Sequence, residues 1–232
     1  MYKEYWLPTG KNQNVANTLA GLLFLLFFLA PQNSFSKYSH SVASHKEIVM
    51  RQQDSKDPAK RRFTAWKQLI INYRSQSLNN KLKAVNDFFN QFTFEQDESY
   101  QGTTDYWKTP DEFIADGGGD CEDFSIAKYF TLLALGVPIQ TLRITYVKSV
   151  EFNRAHMVLA YYAKPDLEPL ILDNLTGKIL PASKRPDLIP VYSFNGEGLW
   201  LAKQRGNDKP LGDSARLSKW RDLIERMQKK GD

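Results

Sequence analysis

The chain holds one cysteine, Cys121, within Gly117-Gly118-Gly119-Asp120-Cys121-Glu122-Asp123. A thiol attacks carbonyls as its thiolate, and it needs a base that takes its proton and later returns it to a leaving amine. Imidazole does both near neutral pH. Of the three histidines, His40 and His45 fall in a polar N-terminal stretch, which leaves His156 as the candidate base. Asp173 ends the apolar run Leu170-Ile171-Leu172 and is the candidate for orienting that imidazole. Cys121, His156 and Asp173 therefore read as a triad for acyl transfer through a thioester. Taken singly, each has a plainer reading: a small buried thiol, a strand-start histidine, a turn aspartate.

The elements that must position these groups follow from periodicity. Phe124, Ala127, Thr131 and Leu135 recur every three or four residues, and Gly136 with Pro138 stops the pattern. This predicts a helix with Asp120 as N-cap and Cys121 in its first turn, where unpaired N–H groups and the helix dipole favour a thiolate. The three glycines are expected to leave room for a substrate backbone. Past Gly136 the period alternates: Leu142 to Lys148, His156 to Tyr162 and Leu170 to Asp173 read as strands, the last two joined by a Pro-containing hairpin at Lys164 to Pro169. Antiparallel pairing brings the start of one strand to the end of the next, and so His156 to Asp173.

Before the glycine turn, Phe63, Trp66, Leu69, Ile70 and Tyr73 form one helical face, and Leu82, Val85, Phe88, Phe89 and Phe92 form another. Thr109-Pro110-Asp111-Glu112 is a helix-start signal. Shorter strands are expected at Ile179-Leu180, Leu188 to Phe194 and Leu199 to Ala202, and a closing amphipathic helix carries Leu217, Trp220, Leu223, Ile224 and Met227. Helices first and an antiparallel sheet after make an α+β fold, with a nucleophile helix packed on the sheet.

Asp120, Glu122 and Asp123 work against a thiolate at Cys121. One negative charge about 6 Å from the sulfur, at an effective dielectric near ~20, disfavours the thiolate by about 2–3 kcal/mol. Either these acids face water as partners of the helix N-terminus, or a hard divalent cation lies on them and cancels their charge. Oxygen-only ligands favour calcium over zinc, and a structural zinc site of the usual Cys/His ligands cannot be built from one cysteine and three histidines. Asp120, Glu122 and Asp123 are the candidate ligands, with Asp105 added because calcium needs donors from outside one helix. For the oxyanion, the Cys121 N–H is one candidate donor and Tyr106 or Trp107 another.

The apolar run Leu19 to Ala30, after a mildly basic start and before polar residues 31–34, suits the core of a secretory signal. Residues 1–45 are accordingly expected to be signal peptide and linker, and 46–232 one domain, exported to the periplasm without stable membrane insertion once the signal is cleaved; an uncleaved signal anchor is the alternative. A lone cysteine in an exported chain makes no intramolecular disulfide, which favours a chemical role. The net charge of +5 is spread along the chain, without a basic stripe interleaved with aromatics, so no nucleic-acid partner is expected.

GGGDCEDFSIAKYFTLLALG, LRITYVK, AHMVLAYY, LILDN and VYSFNGEGLWL, in that order, resemble the bacterial transglutaminase-like cysteine proteinases, specifically the LapG-type periplasmic proteases. The resemblance runs from about Trp66 to Trp220. It implies a papain-like, transglutaminase-type core with Cys121 as nucleophile, His156 as base and acid and Asp173 as orienting carboxylate. It also implies dependence on Ca2+, cleavage of a large surface adhesin near its N-terminus at an Ala-Ala-type site, and biofilm dispersal. The implied partner is the periplasmic domain of an inner-membrane cyclic di-GMP receptor. A transglutaminase or amidase with the same triad, or a calcium-binding regulatory module without catalysis, are the alternatives the residues leave open.

Overall fold

The computed structural model describes residues 56–95, 106–201 and 210–229. The expected signal and linker at 1–45, with His40 and His45, and the candidate ligand Asp105 lie outside the described residues. Among the described residues no helix is long and apolar enough to cross a membrane.

Helix α1 (Pro58–Tyr73) begins with Asp57 as N-cap, its carboxylate accepting from the Ala59 N–H at 2.9 Å, and with proline at the first helical position. Helix α2 (Leu78–Phe89) is capped by Ser77. The two expected apolar faces are those that pack: Trp66, Leu69, Leu82, Val85 and Phe89 are buried, and Phe63, Ile70, Tyr73, Phe88 and Phe92 lie against them. Helix α3 (Pro110–Asp116) opens with a full capping box between Thr109 and Glu112, the pattern visible in its first four residues.

Strands β1 (Thr93–Phe94) and β2 (Gly118–Gly119) form a short parallel pair. Helix α4 (Cys121–Ala134) follows β2 directly. The main sheet is antiparallel, in the order β6-β5-β4-β3-β7-β8. Its strands are β3 (Leu142–Ser149), β4 (Arg154–Tyr161), β5 (Leu170–Leu172), β6 (Leu180–Pro181), β7 (Leu188–Phe194) and β8 (Leu199–Leu201). Helix α5 (Ser218–Lys229) closes the chain, burying Trp220 and Leu223.

Helix α4 differs from a surface helix with one apolar stripe. Residues 123–132 are all buried, because α4 contacts α2 and α3 on one side and β3 and β4 on the other. A helix enclosed on all sides is apolar all round, apart from groups with partners. Trp66 on α1 donates its indole N–H to the Thr131 hydroxyl at 2.9 Å, a buried polar contact that fixes α1 against α4. The opposite face of the sheet carries a smaller apolar cluster of Val147, Val158, Ala160 and Ile171, beside a cavity of about 300 Å³.

The glycine turn answers to its own chain instead of to a substrate. Gly117 has φ 90°, and a Cβ there would lie 2.9 Å from the Arg62 guanidinium carbon, which sits there because Arg62 Nε donates to the Ile114 carbonyl. A Cβ on Gly118 would be 2.4 Å from the Thr93 carbonyl oxygen, and one on Gly119 2.3 Å from Asp123 Oδ2. Both glycines are buried, so close packing of β1, β2 and α4 explains them and the expected open substrate wall does not. Arg62 likewise is no simple solvated charge, since it ties α1 to the end of α3.

Candidate active site

Cys121 is the first residue of α4, as the N-cap reading required. Asp120 and Asp123 form a capping box in which each carboxylate accepts from the other's backbone N–H. Asp123 also accepts from the Lys108 N–H at 2.7 Å, which anchors the segment before α3 to the nucleophile helix. The half-buried Cys121 thiol donates to Glu122 Oε2 at 3.1 Å. Burial first, then the charge and hydrogen bond of Glu122, push that thiol far above its ordinary range, while the backbone N–H of Met157 on β4 pulls the other way. Burial and, after it, the neighbouring acids therefore both oppose a thiolate at this sulfur.

The acids are themselves strained electrostatically. Burial and the neighbouring Asp120 charge raise Asp123 to about 8, against the opposing Lys108 N–H and ammonium. Glu122 moves in the same direction for the same two leading reasons. The donor chemistry, hard carboxylate oxygens whose charge lacks compensation, suits a cation such as calcium. Among the described residues, however, no three His, Cys, Asp or Glu side chains group closely enough to hold a metal ion, and Asp123 already receives two N–H groups.

His156 and Asp173 meet as the hairpin reading required. His156 lies on β4 opposite Val147, and β4 packs against α4, which carries Cys121 at its first position. Asp173 follows the last residue of β5, and Leu172 pairs with Leu159 across the β4–β5 ladder. His156 Nε2 is 2.8 Å from Asp173 Oδ1, and both residues are buried. With Nε2 engaged by a carboxylate, the tautomer with its proton there is favoured and Nδ1 is the nitrogen left to exchange a proton. Burial works to raise the Asp173 carboxyl, but His156, the Leu175 N–H and Arg185 together hold it at about 2. Asp173 is thus an anion throughout the neutral range.

Several supporting residues escaped the sequence reading. Asn90, the C-cap of α2, donates to the carbonyls of Asp173 and Thr176 at 2.9 and 3.2 Å, and Asn86 within α2 donates to that of Gly177, so this end of α2 clamps the turn that presents Asp173. Arg185 Nη2 lies 2.7 Å from Asp173 Oδ2. Lys128, on α4, is buried and donates to Asn86 Oδ1 at 2.9 Å. A signal existed for two of them: Asn86 interrupts the Leu82, Val85, Phe89 face, and Lys128 falls four residues after Phe124 on a core stripe. Trp107 and Trp200 are 6% and 7% exposed and serve packing. Trp107 stacks on Phe194, and Tyr106 hydrogen-bonds Glu112 and Arg226.

Lys128 yields a pH-dependent expectation. Burial lowers its pKa from 10.5 to about 7, with Asp173 opposing. The unfolded chain then takes up this proton first as pH falls, so stability present above the unfolded value is lost between 10.5 and about 7. Urea unfolding should show Lys128→Met gaining on the wild type by up to ~1.4 kcal/mol for each unit that pH drops within that window. Comparing the two proteins subtracts the opposite trend from Glu122 and Asp123, whose raised values make stability fall as pH rises towards 8. Parallel pH curves for the two proteins would contradict a depressed Lys128.

Comparison with known proteins shows the family. Residues 44–202, a span that includes Cys121, His156 and Asp173, match the family described as bacterial transglutaminase-like cysteine proteinase. Solved structures of Legionella pneumophila LapG are similar over 78% of this chain and 95% of theirs, with 54% identity and a TM-score of 0.69. The EGTA-treated form of that protein gives 54% identity and 0.70, covering 78% of this chain and 96% of that one. Its calcium-bound form gives 53% and 0.68, covering 78% and 98%. No curated protein sequence matches. A thiol on the first turn of a buried helix, an antiparallel sheet beside it, a family match across more than half the sequence and extensive identity lead to one conclusion: the chain belongs to the bacterial transglutaminase-like cysteine proteinases, with their transglutaminase-type papain-like fold.

Proposed function

We propose that this cysteine protease is a calcium-dependent periplasmic endopeptidase that cuts a large cell-surface adhesin near its N-terminus, at an Ala-Ala-type bond, with Cys121, His156 and Asp173 as its triad. The observation that carries the triad is the buried His156–Asp173 pair at 2.8 Å on β4, the strand against which the Cys121 helix α4 packs. Release of the adhesin disperses a biofilm, and the periplasmic domain of a cyclic di-GMP receptor holds the protease idle while the nucleotide is abundant. The resemblance to LapG-type proteases supports these biological roles, and the apolar run Leu19 to Ala30 supports export.

The proton path follows from which imidazole nitrogen is engaged. His156 Nδ1 takes the Cys121 proton as Sγ attacks the scissile carbonyl carbon, and the imidazolium is stabilised through Nε2 by Asp173. The tetrahedral intermediate collapses to a thioester as the C–N bond breaks, and Nδ1 returns the proton to the departing amine. Water then attacks the thioester carbonyl, losing a proton to Nδ1, and as the C–S bond breaks Nδ1 returns that proton to Sγ, leaving the free enzyme and the new carboxylic acid, which ionises to its carboxylate. The calcium-bound form of Legionella LapG supports a calcium ion here, with Asp120, Glu122, Asp123 and Asp105 as its candidate ligands; the three described acids do not group as a metal site in their present hydrogen bonds, so holding the ion requires their carboxylates to turn from those partners. When bound, it supplies positive charge that draws the Glu122 field away from the sulfur.

Acyl transfer to an amine in place of water uses the same thioester, so the acceptor decides between protease and transglutaminase. Incubation of the protein with the adhesin's N-terminal fragment and a labelled primary amine should give two fragments and no label, with a new N-terminus at the small-residue site. Label incorporated into intact fragment would overturn the protease reading.

A further inference from the structure

We propose that Arg185 is a positioning residue for the reaction, holding the Asp173 carboxylate in the orientation that keeps the His156 ring proton on Nε2 and so leaves Nδ1 as the base; the inference rests on the triad reading. Asp173 is 2% exposed and its two oxygens are divided between tasks. Oδ1 takes His156 Nε2 at 2.8 Å and the Leu175 N–H at 3.1 Å. Oδ2 has Arg185 Nη2 at 2.7 Å, and among the described residues it accepts no hydrogen bond of good geometry, so the ion pair is what faces it. A buried carboxylate oxygen without a counter-charge turns towards any available donor, and here that rotation would carry Oδ1 away from His156.

Arg185 can act this way because it is itself fixed. It is 8% exposed, and its Nε and Nη2 fork the Asp187 carboxylate at 3.0 and 2.7 Å. Backbone bonds lock the turn around it, from the Arg185 N–H to the Ala182 carbonyl at 3.0 Å and from the Val150 N–H to the Asp187 carbonyl at 2.8 Å. The result is a chain of alternating charge, Asp187 to Arg185 to Asp173 to His156, running from a half-exposed acid to the buried base. Lys128 on α4 is the other cation felt by Asp173, and its pKa near 7 leaves Arg185 as the cation whose charge does not vary across the neutral range.

The test needs no identified substrate, because Cys121 is the chain's sole cysteine and iodoacetamide alkylation, with displacement of iodide to form the thioether, reports on it alone. In the calcium-loaded protein at neutral pH, Arg185→Met should alkylate about 10-fold to 100-fold more slowly than wild type, and Arg185→Lys should recover part of the rate. Nitrogen NMR of the His156 ring should show the Nε2–H tautomer in wild type and a mixture in Arg185→Met. If Arg185 works through Asp173, then Arg185→Met combined with Asp173→Asn should alkylate no more than about 3-fold slower than Asp173→Asn alone. Should Arg185→Met destabilise the fold, Asp187→Asn, which only loosens the fork, carries the same readouts with an effect of about 2-fold to 5-fold. Additive losses, or an unchanged rate and tautomer in Arg185→Met, would overturn the inference. His156→Ala in the same series separates the two readings: an unchanged rate there removes the triad itself, whereas a slow His156→Ala beside a fast Arg185→Met removes only the role of Arg185.

Discussion

His156→Ala is expected to lower turnover by about 10^3-fold, within the range that a positioned acid–base group supplies. The physical reason is specific to this site. The thiol lies against Glu122 and is held protonated by burial and by that charge, so an attacking thiolate forms only if a nearby base accepts the proton as attack proceeds. No second histidine occurs among residues 46–232 to replace it. The loss should appear in kcat, with KM changed little, because the imidazole moves a proton and does not bind the substrate chain. Stability should change by only ~1–3 kcal/mol, since Asp173 keeps its Leu175 N–H and Arg185 partners after the ring is gone. A variant that unfolds normally but retains more than a tenth of wild-type turnover would exclude His156 as the base.

Asp173→Asn is expected to cost about 10^2-fold to 10^4-fold, and Asp173→Ala at least as much. An amide in this position has no good orientation. With its oxygen towards His156 and Leu175, its NH2 group faces the Arg185 guanidinium 2.7 Å from where Oδ2 stood, donor against donor. With its oxygen towards Arg185, the NH2 faces the Leu175 N–H and forces His156 to accept at Nε2, which moves the ring proton to Nδ1, the wrong nitrogen for taking one from the thiol. The same substitution should shift acid unfolding. Asp173 sits at about 2, below its ordinary 3.8, so its contribution is present above that ordinary value and is lost as pH falls through about 2. Denaturant midpoints of wild type and Asp173→Asn should therefore converge below pH 3, and a constant gap from pH 7 down to pH 2 would contradict the depressed carboxyl.

What was legible in the sequence was whatever depends on neighbours in the chain. The Asp120 cap, the Thr109–Glu112 box and the hairpin that brings His156 to Asp173 are local or nearly local patterns, and each was found where expected. Contacts between distant segments were not legible. Nothing around Arg185 distinguishes it from a surface charge in a Lys-Arg-Pro turn until the fold carries it to Asp173, and Asn90 looks like the end of a helix until its amide is seen on the Asp173 turn. The glycines differ from expectation for a related reason. Their spacing signals a tight backbone, but only the three-dimensional arrangement reveals that Arg62, Thr93 and Asp123 supply the neighbours. The acids beside Cys121 posed the same conflict in both views, and the structure sharpened it by placing Glu122 on the thiol itself.

The most direct test of this account is cleavage of a purified N-terminal adhesin fragment, containing an Ala-Ala bond, by the protein with added calcium, with excess chelator, and with Cys121→Ala in its place. The account predicts a single cut in calcium, a loss of at least about 10^2-fold in chelator that added calcium reverses, and none with Cys121→Ala. Cutting by Cys121→Ala at the wild-type rate would contradict the assignment of the nucleophile, and cutting that needs Cys121 but ignores the chelator would return Asp120, Glu122 and Asp123 to the role of helix caps.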